Sequence, residues 1–261
     1  MKKNFIAAAI CGLSLLASGT ASAVVVGGVD FGTLGLTQHF ETSDVFETYI
    51  DGVGQALTGY GQITKVNGTG SYAAGGQTLY FVFKNYNTTA FTPASASFNG
   101  GVIDVYLGTL GNLFNQSSSA NITAIQGLTK FVELTGHAKD SAGNTLTANG
   151  QLTGASLSFT GAGLLDASNS AFSQGDVYRY LNSNTVSDLM GGFADIIFTS
   201  SGNNFVKNTN DTCTPKQGEF CFAGSADFRG DTVAVPEPSI LALLGLGLLG
   251  MGASLRKRKS V

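Results

Sequence analysis

Two histidines, His39 and His137, are the only imidazoles in this 261-residue sequence. A hydrolase built on either needs a nucleophile at one ring nitrogen and an orienting carboxylate at the other. Gly-x-Ser-x-Gly does not occur, and each histidine stands near glycine and threonine without a diagnostic partner, so both read as strand-end or surface residues. Glycan cleavage needs two carboxylates across one cleft, drawn from distant parts of a chain. Asp104, Glu133 and Asp195 lie in strand-like runs and are the candidates; alternation with Ile103, Val105, Val132 and Ile196 marks them as solvent-facing. For calcium there is no Asp-x-Asp-x-Asp-Gly loop, and "NTNDT" (Asn208 to Thr212) is the densest run of oxygen ligands. For sugar stacking there is no tryptophan, which leaves Tyr60, Tyr72, Tyr86, Tyr106, Tyr178 and Tyr180. "GLGLLG" (Gly245 to Gly250) has the spacing of a nucleotide fingerprint but sits inside an apolar run with no strand before it. The expectation is a protein that is not an enzyme and holds no cofactor or metal.

The elements that position these residues are short. The 36 glycines, with Ser, Thr and Asn, punctuate β-branched and aromatic runs about every ten residues. "QTLYFVFKNY" from Gln77 is the clearest strand, with Leu79, Phe81 and Phe83 on one face. "GVIDVYLG", "KFVELTGH", "GDVYRYL" and "FADIIFTS" read as further strands, and "QLTGASLSFTG" as one more with a bulge at Gly154. "NTVSDLMGGF" reads as a short helical turn, and the doubled "FET" at Phe40 and Phe46 as coincidence. The predicted fold class is all-β, an antiparallel β-sandwich or jelly-roll-like domain over residues 24–235.

Both ends carry export signals. Lys2 and Lys3, an apolar run from Phe5 and the small residues Ala21-Ser22-Ala23 have the order of a secretory signal peptide over residues 1–23, cut between Ala23 and Val24. From Ser239 to Leu255 no residue is charged, and as a helix that stretch is roughly 25 Å long, the short end of what spans a bilayer. Arg256, Lys257, Arg258 and Lys259 follow and stay cytoplasmic by the positive-inside rule. Of the 17 acidic residues 16 fall within 24–235, against 8 of the 14 basic ones, so the exported part carries −8 and excludes nucleic acid as a partner. Cys213 and Cys221 remain after signal cleavage, an even pair that an oxidising compartment joins as a disulfide.

Pro236-Glu237-Pro238, the apolar stretch and the basic cluster, in that order over residues 236–261, resemble the PEP-CTERM sorting signal of Gram-negative bacteria. The resemblance implies a membrane anchor that is transient, because exosortase, a membrane-embedded transpeptidase-like enzyme, recognises the signal and removes it. It also implies a surface or matrix protein of an exopolysaccharide-secreting cell, and one group of the family is associated with flocculation. The expected function is a structural or adhesive role in aggregation, flocculation or biofilm formation. Signal peptidase, exosortase and exopolysaccharide are the expected partners. A carbohydrate-binding module is the first alternative and demands a tyrosine-lined groove; a glycan hydrolase is the second and demands two carboxylates in one cleft.

Overall fold

Side chains that alternate along a strand choose a face, and hydrogen-bonded pairing decides what that face encloses. The computed structural model describes residues 23–33, 37–153, 156–204 and 208–233. Its strands are β1 (Ala23–Val26), β2 (Val29–Thr33), β3 (Thr37–Thr48), β4 (Ala56–Val66), β5 (Thr78–Thr92), β6 (Ser95–Gly108), β7 (Thr129–His137), β8 (Leu146–Thr153), β9 (Ser156–Ala167), β10 (Val186–Ser187), β11 (Phe193–Ala194), β12 (Ile196–Asn203) and β13 (Phe220–Asp231). Two short helices, α1 (Ser118–Gln126) and α2 (Gly175–Leu181), lie in the connections.

The expected all-β antiparallel class is what the chain forms, and the pairing adds that the sheet closes. The order is β3-β4-β5-β6-β7-β9-β12-β13 and back to β3, so neighbours round the ring follow chain order. β8 shares the position of β7, pairing with Ser95–Phe98 of β6 while β7 pairs further along from Val102. Closure removes the free edges of the main sheet.

Phe81, Phe83, Phe98, Ile103, Phe198 and Phe228 fill the interior. Glycines opposite the rings make the space. Gly59 pairs with Phe83, Gly61 with Phe81 and Gly202 with Phe159. A Cβ on these glycines would stand 2.1, 2.6 and 2.6 Å from the facing ring, inside any real contact distance. Thus the glycine content serves ring packing inside the barrel wall as well as turns.

One end of the barrel is plugged. The β1–β2 hairpin contributes Val24, Val26, Val29 and Phe31, and α2 contributes Val177, Tyr180 and Leu181, to the same core. Phe31 meets the Tyr180 ring at 4.8 Å between centroids. Outside the wall, α1 and the β6–β7 connection cover Phe46, Tyr60, Tyr80, Val82 and Tyr106 with Leu113 and Ile125, so part of the sheet is buried on both faces.

Three local expectations are corrected. "GDVYRYL" is α2, because Val177, Tyr180 and Leu181 at helical spacing pack into the plug. "NTVSDLMGGF" is the β10–β11 hairpin, whose turn Asp188 holds by accepting the backbone N–H groups of Met190 and Gly192. "QLTGASLSFTG" spans two strands: Gly154 lies outside the described residues, but Thr153 and Ser156 on either side pair antiparallel, so the chain reverses there. The signal helix, the helix over 239–255, Pro236-Glu237-Pro238 and the Arg256–Lys259 cluster also lie outside the described residues. Among the described residues no helix is long and apolar enough to cross a membrane.

Candidate functional site

Both histidines are clamped. His137 ends β7 with Nδ1 2.7 Å from Asp166 of β9 and Nε2 3.1 Å from Asp188. Burial pulls its pKa down, but the hydrogen bonds and charges of the two carboxylates outweigh that and raise it overall. An imidazolium donating from both nitrogens has no lone pair left for a general base. Its visible role is to tie the β10–β11 turn to the barrel wall. A histidine whose folded pKa is raised contributes stability fully below its unfolded value near 6.5, and that contribution is lost as pH rises through the folded value. The amides of Met190 and Gly192 are therefore expected to exchange faster once pH passes that value, in step with His137 deprotonation followed by NMR. Titration of His137 at or below 6.5 would contradict the clamp. His39 stands likewise between two carboxylates, 3.3 Å from Asp227 and 3.6 Å from Glu41.

Of the three candidate carboxylates, the β6–β7 register sets Asp104 directly opposite Glu133 and leaves Asp195 elsewhere. Asp104 is buried and ion-paired with Lys84 of β5. Asp195 is buried and accepts the backbone N–H groups of Ala167 at 2.8 Å and Asn184 at 2.7 Å. Burial raises its pKa more than those bonds lower it. Asp211 and Asn208 of "NTNDT" are engaged in structure. Asp211 accepts the backbone N–H of Ser118 at 2.8 Å and also its hydroxyl, capping α1, whose own Ser117 makes no cap bond. Asn208 donates to the carbonyls of Leu113 and Gln116. Among the described residues no three His, Cys, Asp or Glu side chains gather to hold a metal. The tyrosines form no surface stack: Tyr60, Tyr72, Tyr86, Tyr106 and Tyr180 are buried, and Tyr178 packs half-buried against the core. Cys213 and Cys221 are disulfide-bonded, Cα atoms 5.2 Å apart, at the entrance to β13.

At the end away from the plug lies a cavity of about 400 Å³, walled by Leu57, Phe83, Phe98, Ile103, Leu146 and Phe198 and rimmed by the 49–51 and 92–95 turns. Two buried polar side chains on its lining make no hydrogen bond among the described residues. Glu47 of β3 is buried without a hydrogen bond or ion pair among the described residues, and burial alone pushes its pKa up to about 7. Tyr86 of β5 is 2 % exposed, and its hydroxyl has no hydrogen-bond partner among the described residues. Neither was singled out from sequence as a cavity group. The sign was the second "FET": irregular pairing between Glu41 and Asp44 shifts the strand's parity, so Phe40 and Glu47 face inward while Glu41 and Phe46 face out.

The route to the C-terminal segment completes the picture. β13 runs from the cavity end to the plugged end, where the backbone N–H of Val233 donates to the carbonyl of Tyr180 at 3.0 Å. Residues 234–259, directly beyond, match the family model described as PEP-CTERM protein-sorting motif. The chain carries a PEP-CTERM sorting motif. It is accordingly an exported, exosortase-sorted protein. Neither a curated relative nor a solved structure matches the chain. The PEP-CTERM triplet begins three residues after Val233 and five after the end of β13. At the other terminus, the expected cut before Val24 leaves Val24 and Val26 in place within the plug. Mass spectrometry of the secreted protein is expected to give a chain starting at Val24 and ending near Pro236–Pro238, and a chain running to Val261 in exosortase-deficient cells.

Proposed function

We propose that the processed barrel is a non-enzymatic surface or extracellular-matrix protein of a Gram-negative bacterium, contributing to aggregation, flocculation or biofilm cohesion through exopolysaccharide. The observation that carries this reading is a polar row on the outer wall. Asn149 of β8, Thr160 of β9, Ser201 of β12 and Ser225 of β13 sit side by side in register, all exposed. Gln151 and Ser158 form a second pair beside them. Such a row offers hydroxyl and amide groups at strand spacing, about 4.8 Å, to a polymer that repeats hydroxyls. Support also comes from the sorting motif, which delivers the barrel to the exterior, and from histidines and carboxylates engaged in structural pairs.

The test is aggregation. Cells lacking the protein are expected to settle more slowly, and the native chain to restore settling. A chain with Asn149, Thr160, Ser201 and Ser225 all changed to alanine is exported but does not restore it. Unchanged settling in the deletion strain would sink the adhesive role. Full rescue by the alanine chain would place adhesion on another surface.

A further inference from the structure

The cavity end of the barrel is built differently from the outer wall. Its surface is mostly aromatic and aliphatic, its volume of about 400 Å³ lies in the range of small-molecule sites, and barrel mouths are a recurrent place for them. A closed eight-position barrel with aromatic residues throughout can pack itself shut, as this one does at the plugged end. Here instead the Tyr86 hydroxyl is buried beside open space without a hydrogen-bond partner among the described residues, and Glu47, 7 % exposed, makes no hydrogen bond or ion pair among them. Leaving such groups unpaired is costly, and an occupant that pairs them recovers the cost.

Charge narrows the occupant. Asp51, bonded to Gln55 at the rim, is the other acidic group on the lining, and Tyr49 is the other titratable one; among the described residues no Lys, Arg or His lines the cavity. An anionic head group finds nothing to neutralise it. A cationic head would have to leave water together with the Glu47 charge, and that joint desolvation offsets the attraction of a buried pair. A neutral head suits both groups, because a protonated Glu47 and the Tyr86 hydroxyl are hydrogen-bond donors to a carbonyl or hydroxyl oxygen.

We propose that this end of the barrel binds an uncharged, lipid-like molecule, an apolar body carrying a carbonyl or hydroxyl oxygen that Glu47 and Tyr86 hold. The sorting motif and the polysaccharide reading are independent of this site.

The processed chain purified from the extracellular fraction is titrated with the neutral naphthyl ketone dye prodan, then challenged with dodecanol, dodecanoate and dodecylamine. Saturable, blue-shifted binding of one dye per chain is expected, with dodecanol displacing it at concentrations at least about tenfold below either charged analogue. Because Glu47 passes from mostly protonated to mostly ionised, affinity falls about tenfold from pH 6 to pH 8 in the native chain and stays level in Glu47→Gln. Tyr86→Phe keeps the barrel and weakens binding about fivefold through one lost hydrogen bond. Absence of saturable binding overturns the proposal. So does displacement by dodecylamine or dodecanoate as effective as by dodecanol, or a pH profile that Glu47→Gln leaves unchanged.

Discussion

Replacing Glu47 with glutamine is expected to stabilise the barrel by about 3 kcal/mol at pH 8 and to leave it unchanged at pH 4. The argument rests on where the proton goes. In the folded barrel burial holds the Glu47 proton until about pH 7, against an ordinary value of 4.5. Between those values the native state binds more protons than the unfolded chain, so its stability falls as pH rises, and the loss is complete above the folded value. At about 1.36 kcal/mol per pH unit the gap amounts to about 3 kcal/mol, the cost of an ionised carboxylate in an apolar wall. Glutamine fills the same space without that charge. Denaturant titrations of both proteins at pH 4, 6 and 8 check this, and curves that stay parallel across the range would show that Glu47 is solvated.

Phe81→Ala is expected to cost about 3–5 kcal/mol. The ring is fully buried, with centroids 5.6 Å from Phe228 and 6.4 Å from Phe83, and it covers the bare backbone of Gly61. Strands joined in a closed ring move inward little, so the vacated volume persists. The partner experiment is coupling. Gly61→Ala alone drives a methyl to 2.6 Å from the ring and costs about 1–3 kcal/mol by overpacking. In the Phe81→Ala background the ring contact is gone and only the Asp44 carbonyl, also 2.6 Å away, still crowds the methyl, so the double mutant loses less than the sum of the singles. Additive losses, measured by equilibrium unfolding, would mean that ring and glycine are not a packed pair.

The parts of this molecule that were legible from sequence are those written linearly. The order of basic start, apolar run and small residues at one end, and of Pro-Glu-Pro, apolar stretch and cations at the other, needs no tertiary knowledge. Leu79, Phe81 and Phe83 gave β5 by simple alternation. Alternation names a face but not a partner, so barrel closure through β9–β12 and β13–β3 was not readable. α2 was misread because Val177, Tyr178 and Tyr180 are β-branched and aromatic residues common in strands, while Val177, Tyr180 and Leu181 also recur like a helix. Seven residues are too few to separate the two readings. Glu47 escaped notice because the register irregularity before it reverses inside and outside, a fact that lives in the pairing with β4. Tyr60, Tyr106 and Tyr180 were counted as stacking candidates because composition does not reveal that α1 and the plug cover them.

The single strand that ends at the sorting tail has a mechanical consequence. A load applied where the chain leaves β13 would run along the axis of that strand. That strand is bonded on one side to β12 from Ala223 to Gly230 and on the other to β3. Tension directed along the strand loads these bonds together, in shear, whereas a pull across the sheet would open them one after another like a zip. The Val233–Tyr180 bond adds a catch at the exit point. A load carried by this strand meets both ladders at once.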